Sequence, residues 1–136
     1  MFMSSMGSSG KCIAFPDVCK VPTGIPPFIP TPFPNMAQTC MTLPSGNSMK
    51  VLASMMPTCT IASQAVISQG NTPGVLGGMV SNMVMGPMRY TMGSMKILLS
   101  SKPATRLTSP TGQNGASPNM VGIMLAPSQT KIMVLA

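Results

Sequence analysis

The stretch Ser48-Met49-Lys50-Val51-Leu52-Ala53-Ser54-Met55-Met56-Pro57-Thr58-Cys59-Thr60-Ile61-Ala62-Ser63 returns as Ser94-Met95-Lys96-Ile97-Leu98-Leu99-Ser100-Ser101-Lys102-Pro103-Ala104-Thr105-Arg106-Leu107-Thr108-Ser109, every position offset by 46. A shorter third copy closes the chain, Gln129-Thr130-Lys131-Ile132-Met133-Val134-Leu135-Ala136. Upstream of each copy stands an Asn-Met pair, at Asn35-Met36, Asn82-Met83 and Asn119-Met120. The pattern predicts three β-hairpins. Each has an outgoing strand after Asn-Met, a turn (Pro44-Ser45-Gly46-Asn47, Met92-Gly93, Pro127-Ser128) and a return strand starting at the Lys. Pro57 and Pro103 are expected to end the first two return strands. A lone hairpin is marginal in water, so the three must share one core, which implies pseudo-threefold symmetry inside one chain. The competing reading is chance similarity among Met- and Ser-rich stretches.

Outward from the repeats, two zones differ. Residues 1–10 hold small residues and read as a flexible arm, leaving residues 11–136 as a single domain. Residues 11–34 carry Pro22, Pro26, Pro27, Pro30, Pro32 and Pro34 among Ile25, Phe28, Ile29 and Phe33. Such a run cannot pair as a central strand. It is expected as extended, polyproline-like chain with its apolar side chains on another surface, or else as a stiff linker. The connections Gln64–Val80 and Thr108–Ser117 are rich in Gly, Asn and Pro and read as turns. The expected architecture is all-β, and 13 Gly with 15 Pro argue against long helices.

Composition narrows the chemistry. The 136-residue chain has no His, and Asp17 is its one carboxylate side chain. General acid–base catalysis draws on a group that titrates near neutrality, and a Ser–His–Asp or Cys–His arrangement needs an imidazole. An enzyme is not expected, and no catalytic residue is assigned. Charged residues make up 7%, far below the roughly 25% of ordinary domains, so much of the surface is expected to lie against a partner. No apolar run reaches the roughly 18 residues needed to span a bilayer, and the start has no leader-like charge and apolar pattern.

Three groups of side chains remain candidates for sites. The four cysteines Cys12, Cys19, Cys40 and Cys59 could form a tetrahedral zinc site, two disulfides, or four buried thiols; their spacing lacks a Cys-x2-Cys pair. Lys50, Lys96 and Lys131 fall at equivalent repeat positions, as a ring facing acidic groups or as solvated strand ends. The eight basic residues are otherwise scattered, so nucleic acid is not an expected partner. The 17 Met read as flexible core filler rather than as copper ligands.

Phe15-Pro16-Asp17-Val18-Cys19-Lys20 with its proline run into Pro34-Asn35, together with Gly86-Pro87-Met88-Arg89-Tyr90, Lys102-Pro103-Ala104-Thr105-Arg106-Leu107-Thr108 and Ala126-Pro127-Ser128-Gln129-Thr130-Lys131, resembles the PAAR-like domain family. The resemblance implies a small β-rich cone that caps and sharpens the trimeric VgrG spike of a type VI secretion system or related contractile injection machine. One copy would sit on each trimer, touch the target membrane transiently and carry a separate effector. It further implies assembly in the bacterial cytoplasm and delivery outside or into a target cell without a signal peptide. On this reading Phe28, Ile29, Phe33, Lys50, Lys96 and Lys131 are the expected spike-facing residues. Relatives hold zinc near the tip mainly through His, which this chain lacks, so any zinc falls to the cysteines. The alternative function is a free-standing Cys/Met metal-binding domain.

Overall fold

The structure is a computed structural model and describes residues 1–22, 24 and 28–134. Ile25, Pro26 and Pro27 of the proline run and Leu135-Ala136 of the third copy lie outside the described residues. The strands are β1 (Lys11–Pro22), β2 (Phe28–Gln38), β3 (Ser48–Ala53), β4 (Met56–Thr58), β5 (Gln64–Ala65), β6 (Met88–Tyr90), β7 (Ser94–Leu99), β8 (Lys102–Ala104), β9 (Pro110–Gln113) and β10 (Met120–Ala126). Six of them form one antiparallel sheet in the order β2-β1-β10-β9-β6-β5. The sheet curls back on itself. Met36 and Gln69 exchange both backbone hydrogen bonds at 2.6 Å, and Thr42 bridges Ala65, so the β2 side meets the β5 side. This body therefore consists of three antiparallel pairs around one interior: β1–β2, β5–β6 and β9–β10.

A second layer stands on that body. β3 pairs with β4 and β7 with β8, in identical registers displaced by 46 residues: Ser48↔Thr58, Leu52↔Pro57 and Ala53↔Met56 against Ser94↔Ala104, Leu98↔Pro103 and Leu99↔Lys102. The repeat is thus real, but its phase differs from the expected one. Lys50 and Lys96 lie on outgoing strands, and the turns are Ser54-Met55 and Ser100-Ser101. All four turn residues have positive φ, between 50° and 65°, as a tight two-residue hairpin turn requires. Pro57 and Pro103 lie inside the short return strands. Asn82 sits in a connection rather than beginning a strand.

The third member of this layer is built from the two ends of the chain. Phe2 bridges Met133, and Val134 donates its N–H to the Met1 carbonyl at 2.6 Å. These contacts match Leu52↔Pro57 and Ala53↔Met56 one repeat further on. Residues 1–10 are therefore not a free arm: Met3, Ser4 and Ser5 are buried, and the segment supplies the missing return strand.

Sequence explains the burial of β1. Cys12 and Ala14 face inward, a register shift falls between Ala14 and Asp17, and thereafter Asp17 and Cys19 face inward. One extra residue inverts the alternation, so even positions are buried before the bulge and odd positions after it. The proline run does pair, against β1 from Pro22↔Phe28 onward. Pro30, Pro32 and Pro34 occupy alternate positions, so their missing donors all face one side of the strand. That arrangement is tolerated at an edge.

Two small cores fill the interior. Cys12, Ala37, Cys59, Ala65, Met88, Tyr90 and Met124 form the body core; Met3, Ala53, Leu99, Ala104 and Val134 form the second. Among the described methionines only Met88 and Met124 are fully buried and Met3 nearly so, whereas Met55 and Met95 are almost wholly exposed. Methionine is mainly a surface residue here, contrary to its expected role as core filler. The interior instead takes Ser, Thr and Asn in numbers, because strands meeting close to an axis leave room only for short side chains whose polar atoms find backbone partners.

Candidate functional site

The layer of short hairpins is organised by a closed ring. Ser4 N–H donates to Thr105 O at 2.9 Å, Thr105 N–H to Cys59 O at 3.4 Å, and Cys59 N–H to Ser4 O at 3.0 Å. A second ring follows, Met6 to Pro57, Ile61 to Pro103 and Leu107 to Phe2, at 2.9, 3.0 and 2.8 Å. Three equivalent segments thus bond head to tail, each to the next, and the last to the first. Ala53, Leu99 and Val134, at matching positions of the three copies, are packed together in the core inside this ring. We call this end the prism pole.

Its outer surface repeats in the same way. Leu52, Leu98 and Met133 are about equally exposed, at 54%, 60% and 55%. Lys50, Lys96 and Lys131 are all exposed at matching positions. The predicted lysine set is therefore threefold in the structure, and the apolar set beside it went unnoticed in sequence. Phe28, Ile29 and Phe33 lie elsewhere. Ile29 is exposed and the two Phe are partly buried, with Phe28 and Ile29 opening β2 and Phe33 in its middle. Phe28 and Gln38 are ten residues apart on one strand, which spans about 33 Å.

At the opposite end, the loop pole, a polar cluster is buried beneath loops whose Val75, Leu76, Met79 and Val80 are exposed. Asp17 receives an N–H from Asn71 Nδ2 at 2.7 Å and another from Asn119 Nδ2. Asn71 and Asn114 also point their amides at Cys19 Sγ, at 3.5 and 3.9 Å. Close glycine packing closes the site: a Cβ at Gly74 would fall 2.3 Å from that of Cys19, and one at Gly78 within 2.6–2.8 Å of the Asn119 amide. In the sequence, Asn71 and Asn114 are legible only as turn residues and Asn119 only as the residue that opens a repeat.

The cysteines do not converge. Cys12 and Cys59 share the body core, where the Cys12 thiol donates to Tyr90 Oη at 3.8 Å. Cys19 is seven residues along β1, about 23 Å away at strand spacing, beside Asp17. Cys40 is partly exposed and donates to Gln38 Oε1. All four are free thiols. Burial pushes Cys12 up to about 12, and burial, then the Asp17 charge, pushes Cys19 up to about 11. Burial also raises Cys59, and Tyr90 well above its usual value. Among the described residues no group of three or more His, Cys, Asp or Glu could hold a metal ion. The four cysteines are thus dispersed, with Cys12 and Cys59 in the body core, Cys19 beside Asp17 and Cys40 near the surface.

The toxin PAAR-like domain model matches residues 10–122, most of the chain, and the chain belongs to that family. No curated protein matches, and no solved structure matches. Membership associates the domain with toxins or type VI secretion, in a spike-tip role, and at a coarse level with a spike protein. Nothing in the family assignment points to catalysis. No helix among the described residues is long and apolar enough to cross a membrane.

Proposed function

We propose that this chain caps the trimeric VgrG-type spike of a type VI secretion system or related contractile injection machine, one copy per trimer, with the prism pole seated on the spike. The observation that carries the reading is the closed three-segment ring of Ser4, Cys59 and Thr105. A trimer presents three identical surfaces. A single chain meets all three alike only if its own residues repeat about the same axis, as Leu52, Leu98 and Met133 do. Apolar contact from those residues would supply affinity, and the lysine ring would favour acidic groups and fix register. The loop pole then faces outward and leads during membrane contact.

Co-expression with VgrG-type spike proteins and affinity capture tests this. Lys50→Glu, Lys96→Glu and Lys131→Glu together should sharply weaken capture while the melting temperature stays near that of the parent. Unchanged capture by the triple variant would remove the lysine ring from the interface, and no capture of the parent by any VgrG-type spike would remove the function. No observation favours the alternative of a Cys/Met metal-binding domain, since the thiols are dispersed and the methionines mostly lie on the surface.

A further inference from the structure

We propose that the loop pole is organised around an internal anion: the Asp17 carboxylate sits in a socket of side-chain amide N–H groups and ties together all three body hairpins, in place of a metal.

The orientation of the amides carries the argument. Each asparagine has its carbonyl oxygen committed to a backbone N–H. Asn71 Oδ1 takes Met85 N–H at 3.2 Å, Asn114 Oδ1 takes Gly86 N–H at 2.9 Å, and Asn119 Oδ1 takes Val80 N–H at 2.9 Å. With the oxygens held outward, the NH2 groups must point in. Two of them reach the Asp17 carboxylate, and the third reaches Cys19, whose thiol in turn donates to Asp17 Oδ1 at 3.8 Å. Among the described residues, every side-chain group hydrogen-bonded to the carboxylate is therefore a donor. A cation entering here would meet N–H groups, and turning them would break three bonds that hold backbone residues 80–86. An anion is what this cavity stabilises, and Asp17 is the chain's single acidic side chain.

The socket spans the fold. Asp17 comes from β1, Asn71 from the β5–β6 connection, and Asn114 and Asn119 from the β9–β10 connection. Asn119 Nδ2 also reaches Val18 O at 2.9 Å, and Gly77 O takes the Lys20 N–H at 2.8 Å, which fastens the same three segments beside the carboxylate. Hydrogen bonds to an ionised group are the stronger kind. One carboxylate thus ties strand β1 to the connections of the other two hairpins, the work that a metal does with ligands drawn from separate segments.

The inference is independent of spike docking and is tested by chemical rescue. Asp17→Ala leaves a donor-lined gap the size of a one-carbon carboxylate. Its melting temperature should fall by roughly 10 °C, and sodium formate should restore part of that loss in a dose-dependent way. Sodium chloride at equal ionic strength should not, and neither the parent nor Leu99→Ala should respond selectively to formate. Asp17→Asn, which keeps the volume but sets N–H against N–H, should lose a similar amount, and it decides the matter if Asp17→Ala does not fold. The parent should contain no stoichiometric zinc by elemental analysis and should melt identically with zinc chloride or a chelator. Formate acting equally on the parent and Asp17→Ala would overturn the inference. So would Asp17→Asn melting like the parent, or a bound metal whose removal lowers the parent's melting temperature.

Discussion

Thr105 holds the carbonyl oxygen of Cys59 twice, through its backbone N–H at 3.4 Å and its hydroxyl at 3.1 Å. The two residues occupy the same position in neighbouring repeats, and Ser4 is the third of the set. This contact is one side of a triangle, and the stability of the prism pole depends on the triangle being closed by the first residues of the chain.

That closure predicts tolerance of circular permutation. Two residues separate Ala53 from Met56 and two separate Leu99 from Lys102; joining Ala136 to Met1 would leave two, Leu135 and Ala136, between Val134 and Met1. A permutant joined there, with Asn-Gly replacing Leu135-Ala136, and opened between Ser54 and Met55 should fold with the parent's circular dichroism spectrum. A permutant opened between Gly122 and Ile123, within β10, should not.

The three copies share one core, so volume should be exchangeable between them. Leu99→Ala should cost about 2–5 kcal/mol, and Ala53→Leu about 1–3 kcal/mol by overpacking. Because Ala53 and Leu99 are packed in one cluster, the double variant should lose less than the sum. Denaturant unfolding of the four proteins gives the coupling energy; strict additivity would place the two side chains in separate environments.

Gly122 marks where β10 passes closest to β1. A Cβ there would lie 2.2 Å from the Ile13 carbonyl oxygen, and neither backbone can retreat without breaking the sheet. Gly122→Ala should cost about 1–3 kcal/mol, read as a lower midpoint in urea with unchanged slope.

Buried thiols predict an alkaline limit. Cys12 is held protonated up to about 12 against 9.0 in the open chain. Its stabilising contribution is complete below pH 9 and is lost as pH rises through the interval from 9 to 12, because the unfolded chain ionises first. The slope should approach about 1.4 kcal/mol per pH unit for this one group. Cys19 and Cys59 shift in the same direction. In the native protein at neutral pH a maleimide should label Cys40 first, and the other three only on unfolding.

Much of this was legible in the chain. The Ser-Met-Lys motif at constant spacing marks the repeat because like side chains occupy like places around the axis. The phase is hidden because Pro44-Ser45-Gly46-Asn47 and Gly93 carry turn-favouring letters, whereas the real turns use Ser54-Met55 and Ser100-Ser101, residues without intrinsic preference for positive φ. Tertiary pairing imposes that conformation. The third copy's partner was hidden for a different reason: Phe2-Met3 shares no letters with Pro57-Thr58, and only the backbone equates them. At the loop pole, Asp17 stood out by being alone, but nothing in the spacing announces that Asn71, Asn114 and Asn119 converge on it. That convergence depends on long connections folding back across three hairpins.

The central claim is that one chain presents threefold-related surface to a threefold partner, and native mass spectrometry of the co-expressed complex tests it most directly. The expected species is one copy of this chain on three VgrG-type subunits, lost when Leu52, Leu98 and Met133 are all replaced by Glu. Three copies per trimer, or a complex indifferent to those substitutions, would contradict it.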